Sequence, residues 1–178
     1  MRELMAQSPL ASDLILVLLR GKAEQPDLQD QLAGITRLEK LLFLADQETD
    51  IRNSVKAPFT FQAYNFGPYS KEVYESVELL EELGLIREER HFEGGSIDEL
   101  EEIDTALDEK EGVERRFYLT DPGRAVADLL IQRHPGIAGA MSEIKNRYGA
   151  LPLRRLIRDV YTRYPDMASE SLIRREFS

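Results

Sequence analysis

The side chains that could act as catalytic acids, bases or nucleophiles are few and scattered in this sequence. The chain of 178 residues has two histidines, His91 and His134, and no cysteine. Neither histidine lies in the H-E-x-x-H or G-x-S-x-G context that a zinc protease or a serine hydrolase would need. Carboxylates number 33, so pairs of them carry little information about glycosidase chemistry. We therefore predict that this protein is not an enzyme.

Sites for phosphate and for metal ions are also missing from the sequence. Gly94 and Gly95 stand among acidic residues, which would repel a phosphate group instead of binding it. The stretch SIDELEEID lacks the alternating oxygen ligands and the central glycine of a calcium-binding loop. The sequence therefore predicts no cofactor and no bound metal.

The negative charge of the chain is concentrated in one segment. Net charge is −10, and residues 88–114 hold twelve acidic and two basic side chains. The remaining 21 acidic residues are matched by 21 basic ones. Residues 145–178 lean the other way, with eight basic and four acidic residues. Because phosphate contacts are made chiefly by Lys and Arg, nucleic acid is not the expected partner of this chain.

A Glu-rich helix is the first candidate binding surface. The stretch YNFGPYSKEVYESVELLEELGLI predicts a helix from Pro68 whose buried face includes Val73, Val77, Leu80 and Leu83, and which ends at a left-handed Gly84. Its outward positions carry Lys71, Glu72, Glu75, Glu78, Glu81 and Glu82. Such a face is either simply solvated or meets a basic partner protein. On the second hypothesis, the contact residues on this helix are Tyr69, Lys71, Glu72, Glu75, Glu78 and Glu82.

The acidic segment at 93–112 is the second candidate surface. It is typical of a disordered loop that aids solubility. Apolar residues also recur in it at helical spacing, at Ile97, Leu100, Ile103 and Leu107. A short amphipathic helix could therefore form on contact with a partner, with Glu99 and Glu102 among its acidic contact residues.

The basic tail is where the sequence would permit contact with nucleic acid. Arg154, Arg155 and Arg158 fall on one predicted helix. They are either solvated or paired within the chain, or they contact phosphate groups. Tyr69, in the aromatic stretch before the acidic helix, likewise either fills the core or belongs to a recognition surface.

The elements that must position these residues are mostly helical. We predict a first helix at 9–20 with Leu10 on its buried face, a central helix opened by a Thr36–Glu39 capping box, and a helix capped by Asp121. Two strands are predicted at 85–92 and 115–120, with Phe117 and Leu119 facing inward. Further helices are expected at 137–148, from Pro152, and at 169–177.

This order predicts a mainly α (α+β) fold, a winged helix-turn-helix with a two-stranded wing. Its domain would span residues 1–134, with the acidic wing at 93–112, and residues 135–178 would form a C-terminal helical extension packed on the same core. The apolar run LILVLL has only six residues, too few for a secretory signal or a membrane span. The sequence thus favours a cytoplasmic protein.

Three segments carry a resemblance to known families: RLEKLLFLAD, FTFQAYNFGPYSKEVYESVELLEELGLI and FYLTDPGRAVADLL. Together, over residues 36–130, they resemble the YwgA-like bacterial proteins and, more distantly, the Panacea domain of SocA-type antitoxins. The most specific marker is Phe66-Gly67-Pro68-Tyr69-Ser70, and the run from Phe117 to Arg124 resembles the exit from the wing in many winged-helix families. The resemblance implies a role in binding and neutralising a partner protein such as a toxin.

The sequence therefore favours a non-enzymatic, antitoxin-like module that binds a basic protein through an acidic helix and wing. The alternative is a transcriptional regulator that forms a homodimer through its C-terminal helices and binds DNA weakly, or through the basic tail.

Overall fold

The computed structural model describes residues 7–64, 67–92 and 113–168, which form a mainly helical α+β fold. Within those residues the α-helices are α1 (Asp13–Arg20), α2 (Ile35–Glu48), α3 (Ile51–Ser54), α4 (Lys71–Glu82), α5 (Asp121–Arg133), α6 (Pro135–Tyr148) and α7 (Leu153–Arg163). The strands are β1 (Gln31–Ala33), β2 (Gln62–Tyr64), β3 (Gly67–Tyr69), β4 (Ile86–Phe92) and β5 (Val113–Leu119). Short 3-10 turns occupy Pro26–Leu28 and Pro165–Ala168.

The larger sheet has the order β1-β5-β4, and all of its strands are antiparallel. Phe117 and Leu119 of β5 are buried, as their alternation predicts. Strand β1 was not predicted, because its three residues offer a single inward side chain, Leu32, which lies opposite Phe117.

Helix α2 is the central helix, with ten of its residues buried between Ile35 and Ala45. The predicted capping box at its start is wrong. The helix begins at Ile35 after Gly34, which has φ of 89° and donates its N–H to the Arg115 carbonyl of β5. Thr36 and Glu39 therefore lie inside the helix, where both are buried.

Two other local predictions are corrected at helix starts. Leu10 is exposed and lies in a turn before α1, where its N–H bonds to the Asp13 carboxylate at 2.8 Å. Helix α5 is capped by Thr120 and not by Asp121: Thr120 Oγ1 accepts from the Gly123 N–H at 3.1 Å and donates to the Gly84 carbonyl at 2.6 Å.

The C-terminal helices α6 and α7 share one hydrophobic cluster with α1 and α2. Met141 and Ile144 of α6 and Leu156 of α7 are fully buried in it. Lys145 is buried as well, and its ammonium group bonds to the Leu19 carbonyl at 3.1 Å and to the Gly21 carbonyl. These bonds satisfy carbonyls at the end of α1 that have no partner within that helix. The predicted last helix at 169–177 lies outside the described residues.

Candidate functional site

Helix α4 has a buried face and an exposed face that carries most of the predicted contact residues. Val73, Val77 and Leu80 are buried, as predicted. The helix begins at Lys71 and not at Pro68, which lies in β3. At its other end Gly84 has φ of 71°, and the Leu85 N–H bonds to the Leu80 carbonyl at 2.9 Å, so the predicted glycine stop is confirmed.

The exposed face of α4 carries an acidic stripe, which we define as Lys71, Glu75, Glu78 and Glu82. These residues are spaced by four, three and four positions, so they lie on one side of the helix. All four are exposed, and Lys71 pairs with Glu75 at 3.1 Å. An exposed pair of this kind contributes little to stability, so it holds Glu75 only loosely.

Two leucines border the acidic stripe. Leu79 is 47% exposed, and Leu83 is 60% exposed. The prediction that Leu83 faces the core is therefore wrong: it directly follows the last residue of α4, where the chain turns away towards Gly84. Because these leucines are four residues apart, they form one short apolar edge beside the carboxylates.

Glu72 is held by hydrogen bonds within the protein and Glu81 is half-buried, so neither belongs to the stripe. The Glu72 carboxylate accepts hydrogen bonds from Thr60 Oγ1 at 2.5 Å and from Ser70 Oγ at 2.9 Å. The Thr60 bond lowers the pKa of Glu72. Glu81 is half-buried against β4, and burial together with the Glu88 carboxylate raises its pKa. The face that the sequence predicts with five glutamates thus presents three.

Three tyrosines form a ladder of rings at the start of α4. The ring centroids of Tyr64 and Tyr69 are 4.9 Å apart, and those of Tyr69 and Tyr74 are 5.6 Å apart. Tyr64 comes from β2, Tyr69 from β3 and Tyr74 from α4, so the ladder joins the small hairpin to the helix. Burial raises the pKa of Tyr69, and the nearby Glu39 carboxylate adds to this effect.

A buried ion pair on α2 fixes the hairpin beneath the ladder. Glu39 is 3% exposed and Lys40 is 1% exposed, with 3.2 Å between Lys40 Nζ and Glu39 Oε1. Lys40 donates to the Pro68 carbonyl at 2.9 Å, and Glu39 accepts from the Ser70 N–H at 3.1 Å. Burial raises the pKa of Glu39, although the Lys40 charge opposes the shift. This role was not predicted, although two charges inside the apolar run LEKLLFLA were the available signal.

Gly67 completes the support of the hairpin. It has φ of 97°, a conformation that residues with a Cβ seldom adopt. A Cβ at this position would lie 2.7 Å from Tyr161 Cε1 of α7. Glycine is therefore required here for a left-handed backbone and for close packing against α7.

The base of the acidic segment is a charged cluster between β4, β5 and α4. Glu88 accepts from Arg115 at 2.7 Å and from Arg90 at 3.0 Å. Burial alone would raise the pKa of Glu88, but the hydrogen bonds from these two arginines lower it. Glu99 and Glu102, the predicted contact residues of the wing, lie outside the described residues.

The arginines of the basic tail are exposed on α7, at Arg154, Arg155 and Arg158. They are accompanied by Asp159 around one shallow depression. Of the two histidines, His134 lies at the junction of α5 and α6, and His91 lies in β4 opposite Glu114. The structure does not group them.

Two absences apply to residues 7–64, 67–92 and 113–168. No three Asp, Glu or His side chains among them stand close enough to hold a metal ion. None of the helices formed by these residues is long and apolar enough to cross a bilayer.

Comparison with known proteins does not assign the chain to a family. No protein-family model matches the sequence, and no curated protein matches it significantly.

Proposed function

We propose that this chain is a non-enzymatic cytoplasmic interaction module that binds a basic partner protein through α4 and the acidic segment that follows β4. The observation that carries the proposal is the exposed side of α4, where three carboxylates (Glu75, Glu78 and Glu82) lie beside two exposed leucines. Apolar area at the centre of a contact with complementary charges around it is a common arrangement at protein interfaces.

The scaffold we propose is a winged helix-turn-helix. The order α1, β1, α2, α4, β4, β5 and the sheet order β1-β5-β4 support it. In that scaffold α4 would occupy the place of the helix that enters the major groove of DNA. Three carboxylates on its exposed side would lie within about a Debye length, roughly 8–10 Å, of the phosphates. They would repel the duplex, and the same charges would attract a cationic polypeptide.

An antitoxin-like role fits this surface. The resemblance to YwgA-like proteins and to the Panacea domain rests on the stretch from Phe66 to Ser70, among others. In the structure Pro68 and Ser70 of this stretch are bonded to the buried pair on α2. We propose that the motif shapes the hairpin beside α4, and that the hairpin and helix together form the surface that neutralises a basic toxin or binds another basic protein.

Charge reversal on α4 tests the proposal. A Glu75→Lys, Glu78→Lys, Glu82→Lys variant changes the surface while leaving the buried face intact. A matched control reverses three exposed acids elsewhere, Glu24→Lys, Asp27→Lys and Asp50→Lys, with the same change in net charge.

The assay co-expresses each variant with the product of the neighbouring gene and with basic candidate partners, and it measures co-purification and the dissociation constant. We expect the α4 variant to lose the partner and the control to retain it. Equal loss in both variants, or retention in both, contradicts the proposal.

A second candidate function, a dimeric DNA-binding regulator, is favoured by the three exposed arginines on α7. A labelled duplex titrated at low salt tests it. Binding that falls by roughly a thousandfold or more between about 50 and 200 mM salt, and that is lost in an Arg154→Ala, Arg155→Ala, Arg158→Ala variant, would support this function over the first. No binding at low salt removes it.

A further inference from the structure

The tyrosine ladder ends in an exposed ring. Tyr64 keeps 47% of its surface in water, although its ring packs on Tyr69. The planes of successive rings are inclined by 36° and 43°, so the ladder is a tilted stack and not a set of edge-to-face contacts. Such a stack leaves one ring face, that of Tyr64, at its outer end.

The ladder is held in place before any partner arrives. Lys40 and Glu39 bond to the backbone on both sides of Tyr69, at Pro68 and Ser70. Tyr74 is fixed by α4. A surface that needs no rearrangement loses less conformational entropy on binding.

A carboxylate lies beside the ladder. Glu75 directly follows Tyr74 in α4, so its charge belongs to the helical turn on which Tyr69 packs, and the charges of Glu75 and Lys71 both act on the pKa of the Tyr69 hydroxyl. Glu75 is exposed, and its ion pair with Lys71 spans one turn of the helix surface. An incoming cation can therefore take the Glu75 carboxylate from Lys71 at little free-energy cost.

We propose that the ladder and Glu75 form a receiving site for an arginine side chain of the partner, so this inference rests on the proposed function. The guanidinium group would lie on the ring of Tyr64 while its N–H groups bond to Glu75. Arginine fits better than lysine because its group is planar, stacks on aromatic rings and is more weakly hydrated. An arginine anchored in this way is a frequent hot spot at protein interfaces.

The charges near the site select the kind of ligand. A nucleobase could stack on the same ring, but its phosphates would meet Glu75 and Glu78 of the acidic stripe. A second copy of α4 would bring glutamates against glutamates. A cationic polypeptide alone matches both the rings and the carboxylates.

The test uses the whole chain and three synthetic peptides. Each peptide is an amphipathic helix of about four turns, with leucines on one face. They differ at the polar positions, which carry arginine, lysine or citrulline, the neutral isostere of arginine. NMR titration of the labelled protein gives the dissociation constants. We expect the arginine peptide to bind about fivefold more tightly than the citrulline peptide, with lysine between them.

Two substitutions at Tyr64 isolate the ring. Tyr64→Phe keeps the aromatic face, and Tyr64→Leu keeps apolar volume without it. The preference for arginine, which is the ratio of the dissociation constants of the citrulline and arginine peptides, should persist in Tyr64→Phe and fall to near one in Tyr64→Leu. Glu75→Gln should reduce it by about half. Because Tyr64 and Glu75 are largely exposed, these variants are expected to fold, which circular dichroism can verify.

The outcomes separate the inference from the proposed function. An equal preference for arginine in Tyr64→Phe and Tyr64→Leu overturns the inference. The inference is also overturned if an oligothymidylate binds the protein and its affinity depends on Tyr64 more strongly than the affinity of the arginine peptide does. A Glu78→Lys, Glu82→Lys variant, which keeps the ladder, should weaken the arginine and lysine peptides and leave the neutral citrulline peptide nearly unchanged. If it weakens neither charged peptide, the proposed function fails. If no peptide binds the wild-type protein at low salt, both fail.

Discussion

Replacing Lys40 by methionine is the most direct test of how the hairpin is held. Methionine fills a similar volume but leaves the Glu39 carboxylate buried without its counter-charge, and it leaves the Pro68 carbonyl without its donor. Removing one member of a buried ion pair typically costs about 3–5 kcal/mol. We expect Lys40→Met to lower the free energy of unfolding by that amount at about pH 7, as measured by urea denaturation.

The pH dependence of this loss follows from Glu39. Its pKa is already raised in the folded protein, and it rises further without Lys40. At pH values between the pKa of Glu39 in the unfolded chain and its higher pKa in the folded protein, the native state binds more protons than the unfolded state. Stability therefore declines as pH rises through that window. The deficit of Lys40→Met relative to wild type should therefore be smaller at about pH 5 than at about pH 8.

A double variant provides the control. Glu39→Leu combined with Lys40→Met removes both charges, so it should be less destabilising than Lys40→Met alone. The reasoning is refuted if Lys40→Met costs under about 1 kcal/mol, or if the double variant loses the sum of the two single losses. Either result would mean that the pair does not hold the hairpin as a unit.

Three further predictions concern stability. Burial lowers the pKa of Lys145 to about 8, so above that pH the unfolded chain binds more protons than the folded protein. The stability of the wild type relative to Lys145→Met should therefore rise by up to about 1.4 kcal/mol per pH unit between about pH 8 and 10. Paired urea titrations measure this difference. Gly67→Ala should lower the stability measured in thermal unfolding by about 1–3 kcal/mol, because of the positive φ of Gly67 and its contact with Tyr161. The control Gly136→Ala on α6, where an added Cβ meets nothing, should be neutral or stabilising. Equal effects of the two substitutions would contradict the packing argument. Thr120→Ala should lower the free energy of unfolding by about 0.5–2 kcal/mol, and Thr120→Ser should lower it much less, as measured by chemical denaturation. A smaller loss of stability for alanine than for serine would rule out the helix cap at Thr120.

The longer elements were predictable because their apolar spacing reflects burial directly. Helices α5 to α7, strands β4 and β5 and the stop at Gly84 lie within a few residues of their predicted positions. Strand β1 was missed because three residues are too few to display a period. The small hairpin was missed because its pairing depends on Gly67 packing against α7, a contact that no local pattern reveals.

The capping box shows why a correct local motif can predict the wrong contact. Thr36 and Glu39 have the required spacing, and nothing within that stretch contradicts it. The chain instead turns at Gly34, whose N–H bonds to a carbonyl of β5, and this places Glu39 two residues deeper in the helix than the capping box requires. There a distant segment, at Ser70, supplies the donor. Long-range pairing outweighs the local cap because an unpaired buried carboxylate would be far more costly.

The structure exposes fewer glutamates on α4 than the sequence predicts. Helical spacing places five glutamates outward. Thr60, which is remote from α4 in sequence, binds Glu72, and β4, which follows α4 after a turn, partly buries Glu81. A pattern within one helix cannot reveal partners supplied by other elements. The exposure of Leu79 and Leu83 was missed for the same reason, since only the packed structure shows how much of each side chain stays in water.

The narrower stripe changes the salt dependence expected of the complex. Three carboxylates and Lys71 give this surface a net charge of about −2, and part of that charge is satisfied within the helix. Leu79 and Leu83 add apolar area, whose burial is not weakened by salt. A partner that contacts only this surface of α4 should thus lose affinity only modestly between about 50 and 200 mM salt, because few charges are involved and screening affects the exposed pairs alone. A duplex bound through arginines would weaken steeply over the same range. Measuring one complex at both salt concentrations therefore separates an interface built on α4 from one built on α7, even before the contact residues are mapped.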